Sequence, residues 1–176
     1  MSRTDLDLRT LDFITIGTIG PKGKRMFHLQ AGQGNQIVTF NIEKEQAWAL
    51  GEAIKQFLDD LDQRNNEKTQ VEMASLDMDL REPIQPLFRV AQMGLAYEEE
   101  TQMIILIAQE MVLSLEGESE EDEEADDLDV EDSDAGVVRM WATLEQMRAL
   151  SLQAIDMVEQ GRPNPRQNGR ITYYWT

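Results

Sequence analysis

The chain has 176 residues, 41% of them hydrophobic, no cysteine, and a formal net charge of −18. The missing cysteine removes disulfides, thiolate metal sites and cysteine nucleophiles together, and the acidity counts against a general nucleic-acid-binding role. The length suits one compact domain or two small packed lobes. The N-terminal residues lack an apolar signal-peptide core and no apolar run is long enough to span a bilayer, so a soluble, cytoplasmic protein without membrane contact is expected.

In chain order, Phe13 to Ile19 reads as a strand, and Gly20-Pro21-Lys22-Gly23 as a tight turn. A second strand, Arg25 to Ala31, puts Phe27, Leu29 and Ala31 on one face and Met26, His28 and Gln30 on the other. Gly32-Gln33-Gly34-Asn35 turns the chain into a third strand, Gln36 to Ile42, with Val38, Phe40 and Ile42 inward. The period then changes: Ala47, Leu50, Ile54, Leu58 and Leu61 form one stripe of a helix that starts near Glu43 and frays by Arg64 to Asn66.

After a connection over 67–86, with a short strand or turn around Val71 to Leu80, the same order returns. Phe88 to Ala96, Gln102 to Leu113 and Val137 to Ala142 read as strands, and a helix follows with Thr143 and Gln146 spaced as a capping box. The likeness extends to residues. A shift of 77 places Gly17 on Gly94, Met26 on Met103 and Leu29 on Leu106; a shift of 100 places Val38, Glu45, Gln46, Ala49 and Leu50 on Val138, Glu145, Gln146, Ala149 and Leu150. The two shifts differ by the length of an acidic insertion. Residues 116–134 alone carry 13 of the 34 acids, and like-charge repulsion there predicts a solvated loop.

The expected architecture is therefore α+β: an internally duplicated β-β-β-α unit, with antiparallel sheets each carrying one packed helix, related by a pseudo-twofold axis. The first lobe takes residues 1–66, the linker 67–86, the second lobe 87–161 with its acidic insertion at 116–135, and a tail 162–176, all within one compact domain. On the outer face, His28, Gln30 and Asn41 of the first copy become Ile105, Ile107 and Trp141 of the second, an apolar surface that needs a cover. The linker or the Tyr173-Tyr174-Trp175 tail is the expected cover, ahead of a partner or a second copy of the chain.

Ile16-Gly17-Thr18-Ile19-Gly20, Phe27-His28-Leu29-Gln30-Ala31, Glu43-Lys44-Glu45-Gln46, Phe88-Arg89-Val90, Met93-Gly94-Leu95-Ala96-Tyr97 and Gly161-Arg162-Pro163 together resemble domain-of-unknown-function 3090, a family of bacterial repeat proteins from Actinobacteria and Chloroflexi. The resemblance covers most of the chain outside the insertion. Members of that family end in a cysteine-rich, zinc-ribbon-like segment and a Pro-Arg-x-Asn-Gly element. Pro165-Arg166-Gln167-Asn168-Gly169 is similar to the latter, while the cysteines are absent, so the resemblance implies no zinc here. Its gene neighbourhood implies a phosphoryl-handling setting, by analogy alone.

The motifs carry little chemistry. Gly17 to Arg25 imitates a phosphate-binding loop, yet threonine stands at 18 and arginine at 25 where the pattern needs glycine and a hydroxyl. His28 is the single histidine and no Gly-x-Ser-x-Gly elbow accompanies it, so a surface or interface role is expected. Asp127 to Asp132 opens like a calcium loop but lacks its glycine and closing glutamate. No catalytic residue, metal site or cofactor is assigned. What remains is a set of candidate ligand contacts: Lys22, Lys24, Arg25 and His28 on the first hairpin, with Arg166 and Asn168 in the tail. The reading is a non-enzymatic binding or scaffold protein, holding a protein partner or a small phosphorylated ligand where the two repeats meet, with a homodimer as a further arrangement. The alternative is a phosphoryl- or nucleotide-handling enzyme using the basic hairpin and the tail Arg and Asn.

Overall fold

The computed structural model describes residues 3–21, 23–73, 76–112 and 134–160. Its strands are β1 (Asp5–Leu8), β2 (Phe13–Ile19), β3 (Met26–Gln33), β4 (Gln36–Ile42), β5 (Pro86–Glu98), β6 (Met103–Glu110) and β7 (Val137–Thr143), with helices α1 (Lys44–Asn65) and α2 (Leu144–Gln160). The fold is α+β, and after β1 the order strand-strand-strand-helix occurs twice. The acidic run through Ser133 and the tail lie outside the described residues. No short strand forms over Val71 to Leu80 among the described residues there.

One correction concerns the sheet. The strands form a single mixed sheet, in the order β1-β7-β6-β5-β4-β3-β2, in place of two separate antiparallel ones. The first residues of β5 pair in parallel with β4, Phe88 opposite Phe40 and Arg89 opposite Asn41, and these ladders merge the two halves. β1, unforeseen in the sequence, pairs in parallel with β7, with Leu8 opposite Met140.

Chain length forces the sheet to curl. Laid flat, seven strands would hold β1 and β2 about 29 Å apart at the usual spacing of roughly 4.8 Å. Only residues 9–12 join them, a reach of about 18 Å at most. The ends must approach, and α2 lies where they do. It leaves β7 and packs against β2, where Gln153 donates to the edge carbonyl of Ile16 at 2.6 Å. That donor occupies part of an otherwise open strand edge.

The concave face and both helices share one core. Leu29, Phe40, Ile104, Leu106 and Met140 from the sheet meet Ile54, Leu58, Met147 and Leu150 from the helices, all nearly or wholly buried. The helices cross closely at Gly51. A Cβ there would stand 2.8 Å from Ile155 Cγ1, 3.2 Å from Ala154 Cβ and 3.3 Å from the Ser151 carbonyl. Ser151, itself buried, donates its hydroxyl to the Gly51 carbonyl at 2.7 Å. Each helix start is also tied to backbone outside its own unit, β5 in one case and the link between β1 and β2 in the other. Gln46 accepts from the Glu43 amide at 2.8 Å and donates to the Val90 carbonyl at 3.0 Å. Gln146 accepts from the Thr143 amide at 2.9 Å and donates to the Leu11 carbonyl at 3.1 Å.

The linker does provide a cover, but over the first unit. Leu80 sits on Gly17, so close that a Cβ would lie 2.5 Å from its Cγ. Gln30, buried, donates to the Arg81 carbonyl at 2.8 Å and accepts from the Arg81 amide at 2.7 Å, while Thr15 donates to the Met78 carbonyl at 2.6 Å. On the second unit Ile105 and Ile107 stay half-buried, and Trp141 is covered by its neighbours.

Two outcomes follow from these contacts. Gly51→Leu should cost about 1–3 kcal/mol, the usual penalty for overpacking, and denaturant unfolding measures it. Gln30→Ala should speed amide exchange over 78–81 while leaving the protection of α1 and α2 unchanged, because it releases the linker alone.

Candidate functional site

Three of the cavities that open among the described residues are separated by their chemistry. A cleft of about 630 Å³ near the end of α1 includes Asp59, Asp62, Thr69 and Arg148. Arg148 is engaged there with Asp59 at 2.9 Å and Asp62 at 3.0 Å, Thr69 donates its hydroxyl to Asp62 at 2.7 Å, and Glu67 and Lys68 add one charge of each sign. Although burial pushes the Asp62 carboxyl upward, the Thr69 bonds and Arg148 outweigh it and leave the pKa lowered. A groove of about 410 Å³ between α1 and β5 is lined mainly by Ala49, Leu50, Ala53, Met93 and Leu95, and carries no charge.

The third cavity, about 350 Å³, is different. It sits where the β2–β3 hairpin, the end of β4, the first turn of α1 and the start of β5 converge, and it falls in the size range of small-molecule sites. Arg25, Lys44 and Arg89 line it, with Glu43 as the one acid, so its wall is cationic in a strongly acidic protein. Among the described residues neither Arg25 nor Lys44 has an ion-pair partner. Arg89 pairs with Glu43 at 2.7 Å, but both side chains are about half exposed, where such a pair contributes little. The cavity also lies at the N-terminus of α1, whose backbone dipole favours an anion.

Local sequence explains how the wall forms. Gly20 and Gly23, at φ +111° and +89°, close the hairpin turn and bring Arg25 to the residue just before β3. Strand alternation turns Phe88 and Val90 into the core and leaves Arg89 outside. Parallel pairing then sets Arg89 beside Asn41, another lining residue.

The outer face behind this wall is a row of buried polar groups. Thr15, Gln30 and Thr39 are satisfied beneath the linker, Gln30 also donating to Thr39 at 3.0 Å. The row continues into His28, which faces Asn41 across β3 and β4. Here the pairing is weak: His28 Nδ1 and Asn41 Oδ1 are both buried and make no hydrogen bond of good geometry among the described residues. Buried polar atoms without partners are rare and call for a reason. His28 is only 5% exposed, which corrects the expectation of a surface or interface histidine. Burial holds its pKa below the ordinary value, against a smaller opposing pull from Asn41.

Of the residues singled out in the sequence, Arg25 lines the cavity and His28 lies behind it. Lys24 is exposed in the turn, its amide bonded to the Pro21 carbonyl at 2.9 Å, and does not line the cavity. Lys22, Arg166 and Asn168 lie outside the described residues. Lys44, Arg89 and Asn41 were not among those candidates. Each was visible as a strand or helix-start residue, but their convergence depends on the parallel β4–β5 ladder, which no local pattern encodes. Among the described residues no group of three His, Asp or Glu side chains converges as a metal site, and no helix is long and apolar enough to cross a membrane.

A family model for a protein of unknown function, DUF3090, matches residues 6–168. The chain belongs to the DUF3090 family. The match spans both strand-strand-strand-helix units and the cationic cavity between them. No curated protein and no solved structure matches the chain.

The buried histidine gives this DUF3090 protein a pH signature. A histidine whose folded pKa lies below its unfolded value of about 6.5 binds its proton more readily when unfolded. Stability should therefore fall as pH drops through 6.5 towards the folded pKa, and His28→Gln should remove that part of the slope in chemical denaturation between pH 7.5 and 5. Asp62, also lowered, acts in the same direction but only below about 3.8, so the two windows separate.

Proposed function

We propose that this DUF3090 protein is a non-enzymatic binding protein, built from a duplicated β-β-β-α unit, that holds a small phosphorylated ligand in the cationic cavity where the units meet. The single observation that carries this is the convergence of Arg25, Lys44 and Arg89, from the β2–β3 turn, α1 and β5, on one cavity of a chain with net charge −18. Only one acid, Glu43, stands among them.

The duplication is supported by matched contacts. Gly51 and Ser151 are 100 residues apart, the same shift that relates the two sequences, and they meet at the helix crossing. Residues related by a twofold axis touch one another only close to that axis, so the axis of the proposed repeat passes through this contact. The ties of Gln46 to Ala91 and of Gln146 to Leu11 also match, the glutamines lying 100 residues apart and their partners 80. The parallel ladders do so as well, since Phe88 faces Phe40 as Leu8 faces Met140. The enzyme alternative asked for Lys22, Lys24, Arg25 and Arg166 in one pocket. Of these Arg25 lines the cavity, Lys24 does not, and Lys22 and Arg166 lie outside the described residues.

Native mass spectrometry of the protein, purified gently from its own host, tests the reading. The expected spectrum carries a stoichiometric small-molecule mass bearing phosphate. The double variant Arg25→Gln/Lys44→Gln should lose it, with affinity reduced at least about tenfold, since each charge-assisted hydrogen bond is worth about 1.5–3 kcal/mol. A bare wild-type chain, together with identical weak phosphate binding by both proteins, would sink the proposal.

A further inference from the structure

The two units build the same outer-face position in two ways, and the difference describes the rest of the ligand. In the second unit the cross-strand pair is Ile105 with Trp141; in the first it is His28 with Asn41. Both pairs stand just before a helix cap, Thr143 in one case and Glu43 in the other. Trp141 is 6% exposed. The Arg9 guanidinium lies over its ring, 4.2 Å from the centroid, and its indole N–H donates to Glu98 at 3.2 Å.

Arg9 has a counterpart. Leu8 faces Met140 as Phe88 faces Phe40, so the next residues, Arg9 and Arg89, hold the same place beside their ladders. In the second unit that arginine covers an aromatic ring. In the first, asparagine stands where the tryptophan would be, and the space beside Asn41 and Arg89 is the cationic cavity of about 350 Å³. The groups around it have changed in kind as well. Ile105 offers nothing polar, whereas His28 is 95% buried behind the cavity and Asn41, in the place of the tryptophan, lines it. An amide in that place suits a nitrogen heterocycle, whose edge can hydrogen-bond, better than an all-carbon ring.

Resting on the phosphate-binding reading above, we propose that the ligand is a mononucleotide-like heteroaromatic phosphate whose base takes the place that Trp141 fills in the other unit. The base stacks on Arg89 as Trp141 stacks under Arg9. The Asn41 amide meets a polar group on the edge of the ring, and the phosphate lies against Arg25 and Lys44 at the start of α1.

Calorimetric titration of the full chain with AMP, GMP, ribose 5-phosphate and inorganic phosphate tests this. At least one nucleotide should bind ten times or more tightly than both ribose 5-phosphate and phosphate. Asn41→Trp, which supplies the missing ring from the protein itself, should abolish that preference while the melting temperature stays at or above the wild-type value. Asn41→Leu, which keeps the volume and removes the acceptor, reads the same loss if the tryptophan variant does not fold. Ribose 5-phosphate binding as tightly as both nucleotides overturns the heteroaromatic assignment and leaves the phosphate site standing. Unchanged nucleotide affinity in a folded Asn41 variant overturns the placement. No binding by any of the four probes overturns this proposal and the phosphate site together.

Discussion

The close crossing of α1 and α2 at Gly51 and Ser151 is the contact on which the rest of the molecule depends. With no side chain at 51, the helices approach until the Ser151 hydroxyl reaches a backbone carbonyl of α1. That approach lets one helix pair fill the concavity of one curled sheet. A bulkier residue would push α2 away from α1, and α2 is also the element that lies over the edge of β2 through Gln153. Sheet curvature, edge protection and helix packing are thus tied to one interhelical distance. The four-residue link between β1 and β2 imposes the same closure from the other side, since a flatter sheet would overstretch it.

The two cap glutamines extend this coupling to the site. Gln46 satisfies the Glu43 amide at the start of α1 and at the same time grips β5 through the Val90 carbonyl. It therefore fixes the helix start, with Glu43 and Lys44, against the strand that carries Arg89. A cavity whose charged walls come from three elements keeps its geometry only if those elements cannot slide. Here the β4–β5 ladder and a single glutamine hold them. The Glu43–Arg89 pair adds orientation more than energy, being half exposed.

Much of the fold was legible in the sequence because its signals are local. The alternation of Phe27, Leu29 and Ala31 marked β3, the stripe Ala47, Leu50, Ile54, Leu58 marked α1, and the Thr143–Gln146 spacing marked a capping box that forms. Other features were not local. Asp5 to Leu8 is too short and too charged to read as a strand, and only its place beside β7 makes it one. The parallel meeting of β4 and β5 joins residues nearly 50 positions apart, so the sequence alone suggested two sheets where there is one. The site depends on that ladder. Arg25 was legible as a basic residue after a turn, whereas Arg89 and Lys44 acquire meaning only once β5 lies beside β4. His28 looked like a surface residue because its strand face is polar; the linker laid over that face buries it.

The polar strip on the outer face shows why a buried histidine persists there. Thr15, Gln30 and Thr39 tie down the linker, and each atom they bury is repaid by a hydrogen bond. His28 and Asn41 continue the row, at a position where the matching pair in the other unit is apolar and closed by an indole. Burying unpaired polar atoms costs about 1–3 kcal/mol each relative to an apolar pair, so on stability grounds the first unit would be better served by the solution the second unit uses. Within the proposed duplication, one copy has taken the stable arrangement and the other has kept an open, polar and cationic version of it. A cost borne at one of two equivalent positions, with cations gathered around it, is what a binding site requires and a purely structural position does not.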